Sequence, residues 1–162
     1  MKKSILAVMI VSILAAFGCD NTNGQTKKVQ ENRRLAKPAV EWKKKLTPNQ
    51  YEIMVNRGTE PPYKNAYYNN HEKGLYVSAA TGEVLFSSAD KFDSGTGWPS
   101  FVKAVDAGKV EVVKDNSYGM SRDEVVEKST GLHLGHVFDD GPADRGGKRF
   151  CMNSGALKFI KQ

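Results

Sequence analysis

The stretch GLYVSAATGEVLFSS, residues 74–88, determines the expected fold class. Its two halves are short and rich in β-branched and aromatic residues, and a small-residue link that ends at Gly82 separates them, which predicts a β-hairpin. Four later runs continue the pattern between turns rich in glycine and aspartate: VEVVKD, SYGMSRDEVVEK, LHLGHVF and KRFCMNS. No long amphipathic helix and no alternation of strands with helices follows residue 60. We therefore expect a small, mainly β domain with two packed antiparallel sheets.

Two short helices are expected ahead of these strands. In LTPNQYEIMVNRG, residues 46–58, Thr47 is the predicted N-cap, Pro48 takes the first helical position, and Gly58 marks the end. The segment 41–45 predicts a further short helix just before it.

The N-terminus has the layout of a secretory signal. MKKSILAVMIVSILAAFGCD opens with two lysines, continues with an apolar run that is short for a membrane span, and reaches small residues before Cys19. The segment 16–19 resembles the box at which bacterial lipoproteins are cleaved and lipidated. We therefore expect a signal peptide over residues 1–18 and lipidation of Cys19, with an uncleaved anchor or an ordinary signal as the alternatives. Each of these places the domain outside the cytoplasm, and a lipid anchor would hold it on the periplasmic face of a membrane in a Gram-negative host.

The net charge of +6 belongs to the segment that follows the signal. Residues 20–45 carry eight Lys or Arg against three acidic residues, whereas residues 46–162 carry fourteen against fifteen. We expect residues 19–41 to form a lipidated, basic, disordered tether and residues 42–162 to form one domain. The basic tether suits an anionic membrane surface, or its charge simply keeps a linker solvated. We expect no nucleic-acid partner, because the domain itself is close to neutral.

If Cys19 is lipidated, Cys151 is the only remaining thiol, and no intramolecular disulfide can form. On a strand over RFCMN, alternation places Arg149, Cys151 and Asn153 on one face and the two apolar residues between them on the other. A guanidinium near a thiol favours the thiolate, which is the nucleophilic form. The alternative is a buried, inert cysteine that only fills space in the core.

Two histidines, His133 and His136, lie three residues apart in GLHLGHVFDDG, beside two aspartates. Residues i and i+3 of a regular strand face opposite ways, so both rings reach one site only if the strand is bulged. Gly135 between them favours such a bulge. Three roles compete for the pair: a general acid with its orienting partner, a metal site shared with Cys151, and structural polar contacts.

A third cluster lies in KFDSGTGWPSF, residues 91–101. Pro99 restricts the residue before it, Trp98, to extended conformations. An aromatic side chain held in this way is either a core anchor or the rigid wall of a pocket for a small apolar or sulfonium-like group.

Taken together, three of these segments resemble the methionine sulfoxide reductases of the B type: KFDSGTGWPSF, GLHLGHVFDDGP and RFCMNSGALKF. Four further segments support the resemblance and follow that family's order: LTPNQY, GTEPPY, GLYVSAATGEVLFSS and GMSRDEV. The resemblance covers about residues 42–162. It implies a β-tent (Mss4-like) fold, in which short helices flank two antiparallel sheets. It also implies reduction of methionine-R-sulfoxide in proteins and as the free amino acid.

The resemblance assigns a role to each candidate residue. Cys151 matches the nucleophile, which attacks the sulfoxide sulfur and becomes a sulfenic acid. Trp98 matches the tryptophan that receives the methyl group of the substrate. The family's two active-site histidines, the carboxylate of its DGP turn, its arginine and its asparagine match, in that order, His133, His136, Asp140, Arg149 and Asn153. We expect His136 to protonate the sulfoxide oxygen, with His133 and Asp140 holding the geometry.

Two features of many family members are missing here. The cysteines of a structural zinc site are replaced by Ser78, Thr81, Glu127 and Thr130, and a resolving cysteine is replaced by Thr96. We therefore expect no structural zinc and no other cofactor. We also expect an external thiol, either a thioredoxin-like protein or a small thiol, to reduce the sulfenic acid. The expected partners are oxidised proteins or peptides, this reductant, and a membrane through the lipid anchor, and the expected state is a monomer.

Two other functions stay open at this point. One is a mononuclear metalloenzyme that uses His133, His136 and Cys151 as ligands. The other is a non-catalytic β domain that only binds oxidised or methylated side chains. Metal content distinguishes the first, and full function of a Cys151→Ser variant would indicate the second.

Overall fold

A computed structural model describes residues 33–162 of the chain. The expected signal peptide, the lipidation site Cys19 and most of the expected tether lie outside the described residues. Arg33, ahead of the expected boundary at residue 42, already contacts the larger sheet, because its guanidinium donates to the Glu111 carboxylate at 2.8 Å. No helix within residues 33–162 is long and apolar enough to cross a membrane.

Two short helices, α1 (Ala39–Lys45) and α2 (Pro48–Met54), precede the strands. The start of α2 is as predicted, because the Thr47 hydroxyl accepts from the Gln50 N–H while the Gln50 side chain accepts from the Thr47 N–H. This reciprocal capping satisfies two backbone donors that the first helical turn leaves without partners. The start of α1 lies two residues before the predicted segment, and the helix buries Trp42 against the core.

The strands form two antiparallel sheets, which confirms the expected mainly β architecture with short helices ahead of it. Within the described residues the strands are β1 (Gly74–Ser78), β2 (Val84–Ser87), β3 (Lys91–Phe92), β4 (Ser100–Phe101), β5 (Val110–Asp115), β6 (Arg122–Glu127), β7 (His133–Phe138), β8 (Arg149–Met152) and β9 (Leu157–Lys161). The smaller sheet has the order β2-β1-β9, and the larger one has the order β3-β4-β8-β7-β6-β5. β8 is therefore an interior strand of the larger sheet.

Aromatic side chains join the two sheets. Tyr76 of β1 and Phe86 of β2 lie on the predicted hairpin, and both rings contact Phe101 of β4, with centroid separations of 5.0 and 4.6 Å. All three residues are fully buried. Because Phe101 belongs to the larger sheet, these contacts couple the hairpin to the sheet that carries Cys151, and replacing one such ring with alanine typically costs about 3–5 kcal/mol.

Candidate active site

Cys151 lies on β8, between β4 and β7. It is directly opposite Ser100 on one neighbouring strand and directly opposite His136 on the other. Residues directly opposite each other on paired strands project to the same face of a sheet, so both side chains flank the thiol. The hydroxyl oxygen of Thr96 lies 4.0 Å from the Cys151 Sγ, so the position expected for a resolving cysteine in the family faces the thiol.

The faces of β8 are separated as predicted. Arg149 and Cys151 share one face, where the positive charge of the guanidinium acts on the sulfur. Phe150 and Met152 contribute to the core on the other face. Asn153 follows the end of the strand and is buried beside the histidines.

Burial raises the pKa of the Cys151 thiol above its ordinary value. The positive charge of Arg149 acts in the opposite direction, as do hydrogen bonds from Thr96 and Ser100, but together they do not offset the loss of solvation. The resting cysteine is therefore mainly a thiol at neutral pH. The positive charge of Arg149 nevertheless favours the thiolate over the thiol.

A bulge in β7 brings both histidines to one site, as predicted. Gly135 and His133 lie opposite consecutive residues of β6, which leaves Leu134 as the extra residue of β7. The rings of His133 and His136 are 5.3 Å apart in an edge-to-face arrangement. The spacing of the two histidines, which a regular strand could not bring together, is thus explained.

Gly135 also permits the close approach of β7 to β8. A Cβ atom at this position would overlap the carbonyl oxygen of Cys151 and would lie 2.9 Å from the Met152 Cα. Any side chain here would push β8 away from β7. The absence of a side chain therefore allows the pairing that places His136 beside Cys151.

Each histidine binds a carboxylate that was not among the predicted site residues. The Nε2 of His136 lies 2.9 Å from the Oδ2 of Asp115, and the Nδ1 of His133 lies 2.7 Å from the Oε1 of Glu124. Asp115 is the last residue of β5, and Glu124 is the third residue of β6. Both carboxylates reach the histidines because β5, β6 and β7 are consecutive neighbours in the larger sheet.

Asp115 stays ionised beside His136. Burial acts to raise the pKa of its carboxyl group, but hydrogen bonds with Ser117 and His136, together with the Arg122 guanidinium 2.7 Å away, hold that pKa below its usual value. The pKa of His136 is lowered, because its burial, reinforced by the charge of Arg122, outweighs the attraction of Asp115 for the imidazolium. His136 is therefore mostly neutral at pH 7, with Nε2–H bound to Asp115. Its Nδ1 has no hydrogen-bond partner among residues 33–162.

His133 is bound at both ring nitrogens. Its Nε2 lies 3.4 Å from the amide nitrogen of Asn153, which can only donate, so Nε2 accepts and Nδ1 carries the proton shared with Glu124. The Asn153 side chain is held further by the Leu134 carbonyl at 3.2 Å and by the Glu60 N–H at 3.2 Å. His133 therefore orients its neighbours and has no free nitrogen to offer a ligand.

Glu124 is almost fully buried, at 1 % exposure, and it needs compensation from its surroundings. Arg57 supplies a positive charge by donating from its Nη1 to the second carboxylate oxygen. Arg57 follows α2, is half exposed, and lies at the surface above His133. Each histidine thus belongs to a chain of three residues, in which an arginine binds the carboxylate that binds the ring.

Trp98 is held beside the site by Glu60. The indole N–H donates to the Glu60 carbonyl at 2.9 Å. The Glu60 carboxylate in turn accepts from the N–H groups of Ser154 and Gly155, just after β8. Burial raises the pKa of Glu60, although these hydrogen bonds oppose the shift. Glu60 therefore fixes Trp98 relative to the strand that carries Cys151.

Asp140 contacts Arg149 rather than either histidine. Its two carboxylate oxygens accept from the Arg149 Nε and Nη2 at 2.8 and 2.9 Å. The Arg149 hydrogen bonds hold the pKa of Asp140 below its usual value. The guanidinium also lies 4.4 Å from the centre of the Phe138 ring. Asp140 therefore holds Arg149, and its predicted part in holding the geometry of the site stays a prediction.

The residues at the expected zinc-ligand positions form a hydrogen-bonded cluster. Thr81 and Thr130 both donate from their hydroxyl groups to the fully buried carboxyl group of Glu127, and the Thr130 bond is 2.7 Å long. The Ser78 hydroxyl oxygen accepts from the Thr81 N–H at 3.2 Å. These bonds connect the turn after β1 to the turn after β6.

The alternative metal site is not supported by the arrangement of its proposed ligands. Among residues 33–162, no three His, Cys, Asp or Glu side chains are placed so that they could share a metal ion. His133 and His136 each bind a carboxylate instead, as described above.

A cavity of about 440 Å³ opens beside the histidines. His133 and His136 line it next to their carboxylates, and Arg57 and the highly exposed Tyr118 line it toward solvent. Cys151 is not among its lining residues, so the cavity reaches the predicted site at the histidines and not at the thiol.

The structure therefore places most of the predicted site residues around one centre. Cys151 lies opposite His136 and shares a face with Arg149, and the rings of His136 and His133 and the Asn153 amide follow one another through direct contacts. Trp98 is attached to the same centre through Glu60. Asp140 is attached through Arg149. The residues that were not predicted are Glu60, Asp115, Glu124, Arg57 and Arg122.

Comparisons with known proteins agree with the motifs. The family model described as the SelR domain matches residues 46–161. The chain is 50% identical over 131 residues to the peptide methionine sulfoxide reductase MsrB of Leptospira interrogans serogroup Icterohaemorrhagiae serovar Lai (strain 56601), covering 81% of this chain and 99% of the relative. It is 51% identical over 127 residues to the protein of the same name from Methanosarcina barkeri (strain Fusaro / DSM 804), covering 78% of this chain and 89% of the relative. The similarity therefore extends over the domain and is not confined to a motif.

Proposed function

Because the chain belongs to the methionine sulfoxide reductase B family, we propose that it reduces methionine-R-sulfoxide through attack by Cys151. Reduction of methionine sulfoxide in general follows from the family. The finer proposal covers the R epimer in proteins, peptides and the free amino acid, the nucleophile, and the route by which the nucleophile is regenerated. The observation that carries it is the direct pairing of Cys151 with His136 across β7 and β8.

Transfer of one proton from Cys151 to His136 can turn the cysteine into the nucleophile and the histidine into the acid. At rest the thiol is protonated and the imidazole is mostly neutral, because burial raises the pKa of Cys151 and lowers that of His136. Transfer of the thiol proton to the Nδ1 of His136 creates a thiolate beside an imidazolium that Asp115 stabilises. The thiolate attacks the sulfoxide sulfur while the imidazolium protonates the oxygen.

The reaction transfers the sulfoxide oxygen from the substrate to the Cys151 sulfur. Methionine sulfoxide and the Cys151 thiol yield methionine and a Cys151 sulfenic acid, so the substrate sulfur is reduced and the cysteine sulfur is oxidised. Arg149 stabilises the thiolate before attack, and Asp140 holds Arg149 in place. Trp98 forms the wall for the methyl group, and Asn153 connects His133 to the same centre.

Recycling of the sulfenic acid requires a thiol from outside the described part of the chain. Cys151 is the only cysteine among residues 33–162, and Thr96 faces it where a resolving thiol would lie. Two equivalents of an external thiol would restore the Cys151 thiol and release water and a disulfide. The proposal includes no structural zinc and no other cofactor, because Glu127 and two threonine hydroxyls bind one another at the expected zinc positions.

The proposed location is outside the cytoplasm, on a membrane. Residues 1–18 would direct export and Cys19 would carry the lipid, and both lie outside the described residues. We expect Cys19→Ala to move the protein from the membrane fraction to the soluble fraction without loss of the reductase activity of the domain. Retention of this variant in the membrane fraction would contradict lipid anchoring at Cys19.

The function is tested with the separate epimers of methionine sulfoxide. The full chain is incubated with each epimer, free or within a peptide, and with dithiothreitol, and the methionine formed is quantified. We expect turnover of the R epimer alone and none by Cys151→Ser. Turnover of the S epimer alone, or of neither epimer, would contradict the proposal.

The same samples test the two alternative functions. Stoichiometric metal that is needed for activity would favour the metalloenzyme. Undiminished function of Cys151→Ser would favour a binding domain that does no chemistry.

A further inference from the structure

The cavity beside the histidines has walls that the reaction at Cys151 does not use. The reacting group needs the thiol, His136 and the methyl wall at Trp98. The cavity extends from His136 toward solvent, where Arg57 and Tyr118 line it, and Cys151 is not part of its lining. Its volume of about 440 Å³ lies within the range of small-ligand pockets. It is therefore a space for atoms of the substrate beyond the sulfoxide.

An unusual backbone conformation marks both outer residues. Arg57 has a φ of 60° and Tyr118 has a φ of 55°, in the left-handed region that side chains other than glycine rarely adopt. Among residues 33–162, Tyr63 is the one other non-glycine residue in this region, and its N–H donates to the Gly97 carbonyl next to Trp98. Such conformations concentrate where a protein binds ligands. All three residues border the site, and two of them line the cavity.

Tyr118 presents its ring to solvent at the mouth of the cavity. The residue is 88% exposed and lies on the loop between β5 and β6. Met120 on the same loop is 49% exposed, so this loop presents apolar surface to solvent. A large aromatic ring in this position can pack against an apolar or aromatic group of a ligand.

The charged side chains along the cavity are paired with one another. Arg122 binds Asp115 at 2.7 Å, and Arg57 binds Glu124. Such a lining offers little attraction to a strongly charged ligand. It does offer hydrogen-bond donors, because only one nitrogen of the half-exposed Arg57 side chain is engaged within residues 33–162. These donors suit the main-chain carbonyl groups of a peptide.

We propose that Tyr118 and Arg57 form a subsite for the residues that flank an oxidised methionine, with a preference for a large apolar or aromatic neighbour. The Tyr118 ring packs against that neighbouring side chain, and Arg57 donates to a main-chain carbonyl. The inference rests on the proposed function.

The subsite is tested with two blocked pentapeptides of equal length. Each contains methionine-R-sulfoxide at its centre, flanked by phenylalanine in one peptide and by glycine in the other. The full chain is assayed with dithiothreitol, and kcat and KM are measured separately. We expect the KM for the phenylalanine peptide to be about threefold to tenfold lower than that for the glycine peptide, the size of a typical aromatic contact.

The diagnostic variant is Tyr118→Gly, because glycine adopts a positive φ readily and preserves the loop while it removes the ring. We expect it to raise the KM of the phenylalanine peptide to that of the glycine peptide, whereas Tyr118→Phe keeps the difference. Ile160→Ala is the control for loss of an exposed apolar side chain, since Ile160 is 51% exposed but lies on β9 in the smaller sheet. Arg57 is a poorer test, because it also binds Glu124.

Two results would overturn the subsite and leave the proposed function intact. One is equal KM values of the unaltered chain for both peptides. The other is a preference for phenylalanine that survives Tyr118→Gly. If the unaltered chain turns over neither peptide, the result contradicts the proposed function itself, and the subsite with it.

Discussion

The Nε2 of His136 lies 2.9 Å from the Oδ2 of Asp115, while His136 also lies directly opposite Cys151 on the neighbouring strand. The histidine thus has a carboxylate on one side and the thiol on the other. Asp115 opposes the effect of burial on the pKa of His136, because its charge and hydrogen bond favour the imidazolium. In the proposed mechanism Asp115 is therefore a positioning residue, which would act on the substrate through His136.

We predict that Asp115→Asn lowers kcat by about tenfold to a hundredfold, which is at or below the lower end of the range for general acid–base catalysis because His136 itself is kept. The amide cannot stabilise the imidazolium, so the pKa of His136 falls further and the acidic limb of the pH profile moves to lower pH. The measurement is kcat against pH for the peptide substrate. Asp123→Asn is the matched control, because Asp123 lies on β6 but binds Lys114 at the surface. An unchanged acidic limb in Asp115→Asn would show that Asp115 does not act through His136.

The unaltered chain should have a broad pH plateau in kcat/KM. Activity requires one proton shared between Cys151 and His136. Activity is lost on the acidic side when His136 becomes an imidazolium while Cys151 is still a thiol. This limb lies below pH 6.5, because burial lowers the pKa of the imidazole. Activity is lost on the alkaline side when the thiol loses its proton to the solvent and His136 stays neutral. This limb lies above pH 9.0, because burial raises the pKa of Cys151. Single-turnover rates between pH 5 and pH 10 measure both limbs without interference from the reductant, and a narrow optimum near pH 7 would contradict this assignment.

Arg149→Met should slow the alkylation of Cys151 by iodoacetamide at pH 8 by about tenfold, which corresponds to about one pKa unit. The positive charge of Arg149 lowers the pKa of the thiol, so its removal raises that pKa further and reduces the thiolate fraction. Asp140→Asn should have a smaller effect of less than about threefold, because Asp140 is 63 % exposed and acts only by holding Arg149. Equal rates in Arg149→Met and the unaltered chain would show that the guanidinium does not favour the thiolate.

Local patterns in the sequence were sufficient for the features that depend on one or two strands. The hairpin over residues 74–88 is determined by its composition and its turn, and the faces of β8 follow from alternation. The bulge in β7 followed from the spacing of two histidines around Gly135. Each of these inferences needs only neighbouring residues and the regular geometry of a strand.

The supporting carboxylates could not be predicted in the same way. Asp115 and Glu124 reach the histidines through the register of three neighbouring strands, and that register is a long-range property. From the sequence alone, a glutamate within RDEVVE is expected to face solvent, because acidic side chains are rarely buried without a partner. The partners of Glu124 are distant in the sequence. Asp140 shows the converse limit: it is close to His136 in the sequence, yet the turn between β7 and β8 places it on Arg149.

The last prediction concerns the cluster at the expected zinc positions. Thr130→Val should lower the free energy of unfolding by about 1–3 kcal/mol, because the fully buried Glu127 carboxyl group then loses a hydrogen-bond donor. Urea denaturation followed by tryptophan fluorescence measures this change. Activity on the R epimer at low denaturant should stay close to that of the unaltered chain, because the cluster joins the turns after β1 and β6 and makes no contact with Cys151. Thr59→Val is the control for loss of a hydroxyl group. Thr59 lies outside this cluster, in the lining of the cavity beside the histidines. An unfolding curve for Thr130→Val that superimposes on that of the unaltered chain would show that the hydroxyl contributes nothing to the stability of the cluster.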